Sequence, residues 1–434
     1  MPGSPLTSAA MREGLSVSEA SEWIQAATPV LDAETTPIQE ALGRVLAEPV
    51  VSGRLIPPAD CSAMDGYAVR TSALRAATQT APIALPVAFE VAAGGQAPRA
   101  LGEGECARIF TGAPLPPGAD AVVMQEHTES DGPRVRFRAC PAPREHVRDA
   151  GEDIRIGAVV MPAGTRIRPA QIGVLASLGR SMVAVHRRPQ VAILSGGDEL
   201  VEIDGDVSGG RIISSNSYAL AAQCRAIGAD PLYLGISSDR PESVERQFRA
   251  ALRADCIVSS AGVSVGDHDH VRPVLEKLGC RLEFWGVKMK PGYPLAFGRF
   301  DAETRPGGSP GPLVFGLPGN PVSAAVTFEQ FVRPSLLRML GHSRCFRPTL
   351  RARLGETLKK NAGRLHFVRV TLEDRDGEWI AMSTGNQSSG VMSSMNLADA
   401  LLVFPLEATE LREGDAVTVQ ILDDGWYAGA VPPF

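Results

Sequence analysis

Between residues 189 and 340, short apolar runs alternate with amphipathic stretches. The pattern predicts strands over 189–195, 232–236, 256–259, 282–289, 294–297 and 313–315. It predicts helices over 217–227, 241–254, 271–278 and 320–340. Uniformly apolar strands alternating with helices imply a parallel sheet covered on both faces. On either side the rhythm is different. Residues 16–27 read as a helix capped by Ser16 or Ser18, with acids in its first turn. From 45 to 168, short runs at 83–91, 107–110, 121–125 and 135–137 stand between turn clusters such as A-P-L-P-P-G-A-D, which is β-rich, turn-rich territory. Strand-like runs return at 365–372, 379–382, 400–404 and 416–421 and predict a small β-barrel or sandwich. Residues 1–13 read as a loose tail.

Composition narrows the function classes. The chain has 434 residues, about three domains' worth by length. Its formal net charge is -6 and its aromatic content 5%, so neither a basic surface nor a stacking platform for nucleic acid is expected. No apolar run is long enough for a membrane span, and the first residues lack the pattern of a signal peptide. Seven scattered cysteines without a C-x-x-C pair read as free thiols in a reducing cytoplasm.

Ligands of open α/β sheets bind beyond the carboxyl ends of the strands. Those ends here carry S-G-G-D-E-L, S-S-D-R, S-S-A-G-V-S-V-G-D-H-D-H, K-P-G-Y-P and G-L-P-G-N-P-V-S. Asn320 suits an N-cap and Pro321 the first helical position. Gly319 lets a ligand approach the backbone there, and an anion can bind the free N–H groups. In the 259–270 stretch, Gly262, Ser264 and Gly266 suit a backbone cradle for a phosphate or a flat ring. His268 and His270 are poor zinc candidates, since a zinc site wants three or four nitrogen or sulfur ligands. Asp267 and Asp269 fit magnesium beside a phosphate, or a first turn complementing a helix dipole; the two readings stand side by side. Asp198, Glu199 and Asp239 add carboxylates to the same rim, and Lys288 and Lys290 add positive charge.

Longer motifs make the pattern specific. C-S-A-M-D-G-Y-A-V-R (61–70), A-R-I-F-T-G-A-P-L-P-P-G-A-D-A-V-V-M-Q-E (107–126), A-G-E-D-I (150–154), L-S-G-G-D-E-L (194–200), M-K-P-G (289–292), G-L-P-G-N-P-V-S-A (316–324) and T-G-N-Q-S-S-G (384–390) join the 259–269 stretch. In this order, over about residues 15–425, they resemble the MoeA family of molybdopterin molybdenumtransferases, which includes the E domain of gephyrin.

The resemblance implies a multidomain α/β and β fold. An elongated domain is built from 14–60 and 147–188, and a β-rich domain, 61–146, is inserted into it. A molybdopterin-binding α/β domain spans 189–340 and a β-barrel 346–425. It implies a cytoplasmic homodimer that inserts molybdate into adenylylated molybdopterin with magnesium and releases AMP, and a molybdopterin adenylyltransferase as a possible partner. Residue by residue, it ties Arg369, Ser389, Lys290 and Ser323 to molybdate and Arg148 to a cleft arginine. Asp65, Thr111, Glu199, Asp239 and Asp269 match positions for catalysis, nucleotide and metal, with Asp239, Asp267 and Asp269 as the metal set. Gly262, Ser264, Gly266, Pro291, Gly319 and Asn320 would cradle the substrate. Taken alone, Asp65 and Thr111 also fit plain turn formers, and Arg364 and Arg369 outward charges on a strand. The sequence departs from the pattern at Gly286 and Tyr293, where relatives carry basic residues. Gly196 stands where threonine is commoner, and Arg272 where lysine is frequent. The competing class is a non-catalytic molybdopterin-binding paralogue or scaffold on the same fold.

Overall fold

The computed structural model describes residues 12–260, 270–301 and 311–423. The chain divides into two compact units. The larger comprises residues 1–47, 166–168 and 183–434, and the smaller 48–165 and 169–182.

The larger unit holds a seven-stranded sheet in the order Arg12–Leu15, Cys280–Val287, Ala296–Phe300, Leu313–Gly316, Cys256–Ser259, Gln190–Gly196, Asp230–Ser237. The last four strands are mutually parallel, as their unbroken apolar runs require. Ala296–Phe300 is antiparallel to both of its neighbours, a reversal that periodicity does not reveal. Arg12–Leu15 pairs in parallel with Cys280–Val287, so the expected loose tail ends in a strand. It was missed because R-E-G-L has no alternation to read.

The helix Val17–Ala27 begins at Ser16 with a complete capping box: Ser16 Oγ accepts from the Glu19 N–H, and the Glu19 carboxylate accepts from the Ser16 N–H. Helices Ser215–Ala226, Pro241–Ala251 and Val271–Lys277 cover the sheet. The expected helix over 320–340 is Pro321–Thr327 and Arg333–Met339 joined by a π-helical turn, Phe328–Val332. Pro334 lacks an N–H to donate, and the wider turn just before it absorbs that loss.

The barrel closes because Leu365–Arg375 pairs with both Glu378–Ser383 and Ala400–Phe404; Thr349–Leu354 and Ala416–Ile421 complete the five-stranded circuit. Its strands alternate in use. Val368, Val370, Leu402 and Phe404 fill the barrel interior. Phe367 and Leu401 join the core beneath the large sheet, with Phe297, Phe315 and Phe328. A shared core of this kind makes sheet and barrel one packed body.

The smaller unit is built on a six-stranded sheet in the order Ala121–Met124, Gly66–Val69, Cys106–Ile109, Ile83–Val91, Arg134–Phe137, Thr128–Asp131. Gly66 is forced by packing. A Cβ there would collide with the Val123 carbonyl oxygen on the neighbouring strand, so the M-D-G motif has a steric reason.

Candidate functional site

A cleft of about 680 Å³ opens at the carboxyl ends of the parallel strands. Glu199, Gly319 and Asn320 line it, together with Ser214, Ser215, Asn216, Ser260 and Gly390. The Asn216 amide donates to the Gly319 carbonyl at 2.7 Å, fixing the G-N-P-V turn from across the cleft. Beneath, buried serines form a polar floor: Ser214 Oγ donates to Ser195 Oγ at 3.0 Å, and Ser195 Oγ lies 3.4 Å from Ser260 Oγ. The sequence reading missed Ser214, Ser215 and Asn216. The run I-I-S-S-N-S leading into a helix was the available signal.

The acidic side of the rim is assembled by backbone. Asp198 and Asp239 each accept the other's main-chain N–H at 3.2 Å. This exchange ties the turn after Gln190–Gly196 to the turn after Asp230–Ser237, and it uses one oxygen of each carboxylate. Gly197 has a φ of +139° and faces the Glu199 carboxylate where a Cβ would stand, so glycine there makes room for Glu199. Asp239 also lines a small recess with His270 and Ser237. Among the described residues, no group of three or more His, Cys, Asp or Glu could enclose a metal alone. A magnesium ion needs only one or two carboxylates with substrate oxygens, and the second oxygens of Asp198 and Asp239 meet that requirement. Gly262, Ser264, Gly266, Asp267 and Asp269 lie outside the described residues.

The cationic side is buried. Arg369 is fully inaccessible to solvent. Its Nε donates to Ser394 Oγ at 3.1 Å, and its Nη2 to the Ser388 carbonyl at 3.2 Å. Gln387 holds both backbone groups of Arg369, accepting from its N–H and donating to its carbonyl. The T-G-N-Q-S-S-G loop therefore wraps the arginine. Nη1 has no protein partner, and among the described residues no carboxylate pairs with this guanidinium. Burial alone lowers its pKa to about 10, leaving it charged at neutral pH. A buried charge lacking a counterion is costly, and an oxyanion would supply one in fork geometry.

The same loop reaches the cleft: Gly390 lines it, and the Ser389 carbonyl accepts the Val322 N–H at 3.1 Å in the first turn of Pro321–Thr327. Asn320 occupies the N-cap position without a side-chain capping bond, so its amide does not do the capping expected of it. Ser323 is buried in this helix. Lys290 and Pro291 belong to the loop that packs on the helix. A Cβ on Gly292 would stand 2.5 Å from Thr327 Oγ1. Lys290 itself is exposed and pairs with His366 in the barrel.

Two of the departures from the family pattern, Gly286 and Tyr293, form one cluster. The Tyr293 ring packs edge-on to Trp285 at 5.6 Å and lies against Gly286, while the Arg364 guanidinium stacks over it at 4.6 Å. Gly286 makes space for the tyrosine, and the tyrosine holds an arginine.

In the smaller unit, Asp65 Oδ1 accepts from both the N–H and the hydroxyl of Thr111, at 2.7 and 2.8 Å. The Thr111 backbone and side-chain bonds hold the Asp65 pKa below its usual value. Both residues are exposed. Arg148 is exposed on a two-residue strand paired with Cys61–Ser62.

Comparison with known proteins matches three consecutive stretches of the chain. Residues 15–179 match the MoeA N-terminal region (domain I and II), 192–338 the probable molybdopterin binding domain, and 351–422 the MoeA C-terminal region (domain IV). The molybdopterin molybdenumtransferase of a Nostoc species is 39% identical over 391 residues, covering 89% of this chain and 88% of that protein. That of Haemophilus influenzae is 35% identical over 387 residues, covering 88% and 92%. The crystal structure of the molybdopterin biosynthesis moea protein from Pyrococcus horikosii superposes with a TM-score of 0.81 at 31% identity. It covers 94% of this chain and 99% of that one.

Proposed function

We propose a reaction in detail for a chain that belongs to the MoeA family of molybdopterin molybdenumtransferases, transferases that insert molybdenum into molybdopterin. The finer reading is that molybdate enters adenylylated molybdopterin, with cleavage of the phosphate–AMP bond and release of AMP. The observation that carries it is Arg369, a buried guanidinium with an unpartnered nitrogen and no carboxylate. That is a receptor for a tetrahedral dianion. Ser389 and Lys290 stand on segments that meet the helix Pro321–Thr327, the first at its opening turn and the second, through Gly292, at its last residue.

The cleft lined by Ser214, Asn216, Gly319 and Asn320 would take the organic part of the substrate. Its serine floor offers hydroxyls that can donate or accept as a pterin edge requires. Glu199 stands at the rim as the group able to accept a proton from an attacking water. Magnesium, when bound, would neutralise charge on the phosphoryl oxygens, and Asp239 and Asp198 would hold it. Asp267 and Asp269 join that set on the sequence reading. Gly262, Ser264, Gly266, Pro291 and Ser323 keep their place in the substrate cradle on the same footing, as do Asp65, Thr111 and Arg148 among the catalytic and cleft groups.

We further propose the four-domain division given by the sequence, a homodimer, and a substrate received from a molybdopterin adenylyltransferase. The working compartment is the cytoplasm, in keeping with seven free cysteines; among the described residues no helix is long and apolar enough to cross a membrane. The test is AMP release from purified adenylylated molybdopterin with magnesium, with and without molybdate. Molybdate-dependent release that Arg369→Ala abolishes supports the reaction. Binding of substrate without any AMP release would overturn it in favour of a protein that only carries molybdopterin.

A further inference from the structure

A second cavity lies within the larger unit, lined by residues that no part of the proposed reaction uses. Its volume is about 530 Å³. Seven arginines line it: Arg44, Arg166, Arg188, Arg225, Arg333, Arg344 and Arg347. The whole chain carries a net charge of -6, so this concentration is not a by-product of a basic composition. The arginines come from separate stretches of chain. Arg166 bridges Val45 in antiparallel fashion, with Arg44 next to it, and Arg188 precedes the strand Gln190–Gly196. Arg225 ends the helix Ser215–Ala226, and the others begin or follow Arg333–Met339.

The arginines fall into two groups. Three are fixed by carboxylates. Arg44 pairs with Glu34, and Glu329 pairs with Arg347 at 2.9 Å and with Arg333 at 3.7 Å. Arg44 is nonetheless 7% exposed with a buried Nε that has no hydrogen-bond partner. The other four have no carboxylate partner among the described residues. Arg188 donates only to the Gly228 carbonyl, and Arg166, Arg225 and Arg344 face the opening. One of these, Arg225, is accounted for by its place at a helix C-terminus. Against the rest, the one carboxylate among the lining residues is Asp423. His342, on the same wall, has its pKa lowered to about 4 by burial and then by Arg166 and Arg333, as a strongly positive field requires. The floor is apolar: Ile227, Leu337 and Leu340.

From this we infer that the cavity is a binding site for a polyphosphate anion, separate from the cleft and from Arg369. Planar guanidinium groups match phosphoryl oxygens in fork geometry. A single phosphate carries a charge of only about -2, too little to offset seven arginines that meet three carboxylates, Glu34, Glu329 and Asp423. A chain of phosphoryl groups spans the opening and meets several of them at once. An acidic protein segment would bring the same sign of charge, but a concave space of this size suits a small molecule.

The probe is inorganic tripolyphosphate, titrated calorimetrically into the full chain at low and at physiological ionic strength. The expected result is saturable binding of one anion per chain that weakens as salt rises. Arg225→Glu and Arg344→Glu, both at exposed positions, should each weaken it about tenfold or more; unchanged thermal unfolding would show that the fold is intact. Arg369→Ala should leave it unaltered. Absence of saturable binding would overturn the inference. So would binding lost in Arg369→Ala but kept in Arg225→Glu, which would place the anion in the cleft. Orthophosphate binding as tightly as tripolyphosphate would overturn the polyphosphate class, and a polyglutamate peptide binding more tightly would assign the surface to an acidic protein segment.

Discussion

Arg369 and Asp65 are both charged residues in loops that the sequence singles out, and they sit in opposite physical states. Arg369 is buried, wrapped by its own loop, and left with an unpartnered nitrogen. Asp65 is exposed and accepts two bonds from Thr111 at 2.7 and 2.8 Å. The buried group declares a ligand through what it lacks, because an uncompensated interior charge is expensive. The exposed group lacks nothing the protein could have given it. Its geometry is that of a well-made turn, and a catalytic part for it rests on its motif.

The widest test of this contrast is Arg369→Ala, which should lower molybdate-dependent AMP release by about 10²–10³-fold, the effect of removing one oxyanion donor. Arg369→Lys should recover only part of it, since a lysine cannot reproduce the fork. If Arg369→Ala retained full turnover, the unpartnered nitrogen would be a packing defect and the contrast would collapse.

Gly66→Ala tests the opposite state, the turn as scaffold. A Cβ beside the Val123 carbonyl cannot be accommodated without moving a strand, and we expect a loss of about 3 kcal/mol or more in the stability of the smaller unit, measured by chemical denaturation. A tolerated alanine would show that the M-D-G glycine is kept for another reason.

His366 extends the comparison along Arg369's own strand. It is 6% exposed, and neither ring nitrogen has a hydrogen-bond partner. Burial, with Lys290 and Arg369 nearby, lowers its pKa to about 4. The unfolded chain takes up this proton near pH 6.5 and the folded chain only near 4. Its contribution is therefore complete above pH 6.5 and is lost as pH falls toward 4, by about 3 kcal/mol at most. Melting curves across that window should flatten in His366→Gln; an identical pH dependence in both proteins would reject the assignment.

The smallest expected change belongs to Asp65→Asn. The amide oxygen can still accept from Thr111, so stability should hold. The charge is gone, and AMP release should fall about tenfold, roughly the worth of one charge-assisted hydrogen bond. Unchanged turnover would reduce Asp65 to a turn former.

Legibility in the sequence followed local physics. Parallel strands were readable because burial on both faces leaves an unbroken apolar run, and the Ser16–Glu19 cap because its spacing is short-range. The reversal of Ala296–Phe300 and the edge strand Arg12–Leu15 were not, since direction and pairing are set by tertiary contacts. The glycines and acids of the rim were legible because strand ends are where α/β sheets bind ligands. The burial of Arg369 on the outer face of the barrel was not. An arginine in H-F-V-R-V reads as an outward charge, and only the loop 384–390, folded back from fifteen residues on, covers it. Ser214 and Asn216 were missed because a polar run before a helix looks like an ordinary cap.

The strand Arg12–Leu15 has a consequence for handling the protein. It occupies the open edge of the seven-stranded sheet, where Cys280–Val287 would otherwise present unpaired backbone N–H and C=O groups beside Phe284 and Trp285. Such an edge recruits strands from other molecules. A chain shortened to Val17 would keep its cleft and its barrel, and its failing would be precipitation on concentration rather than a slower reaction.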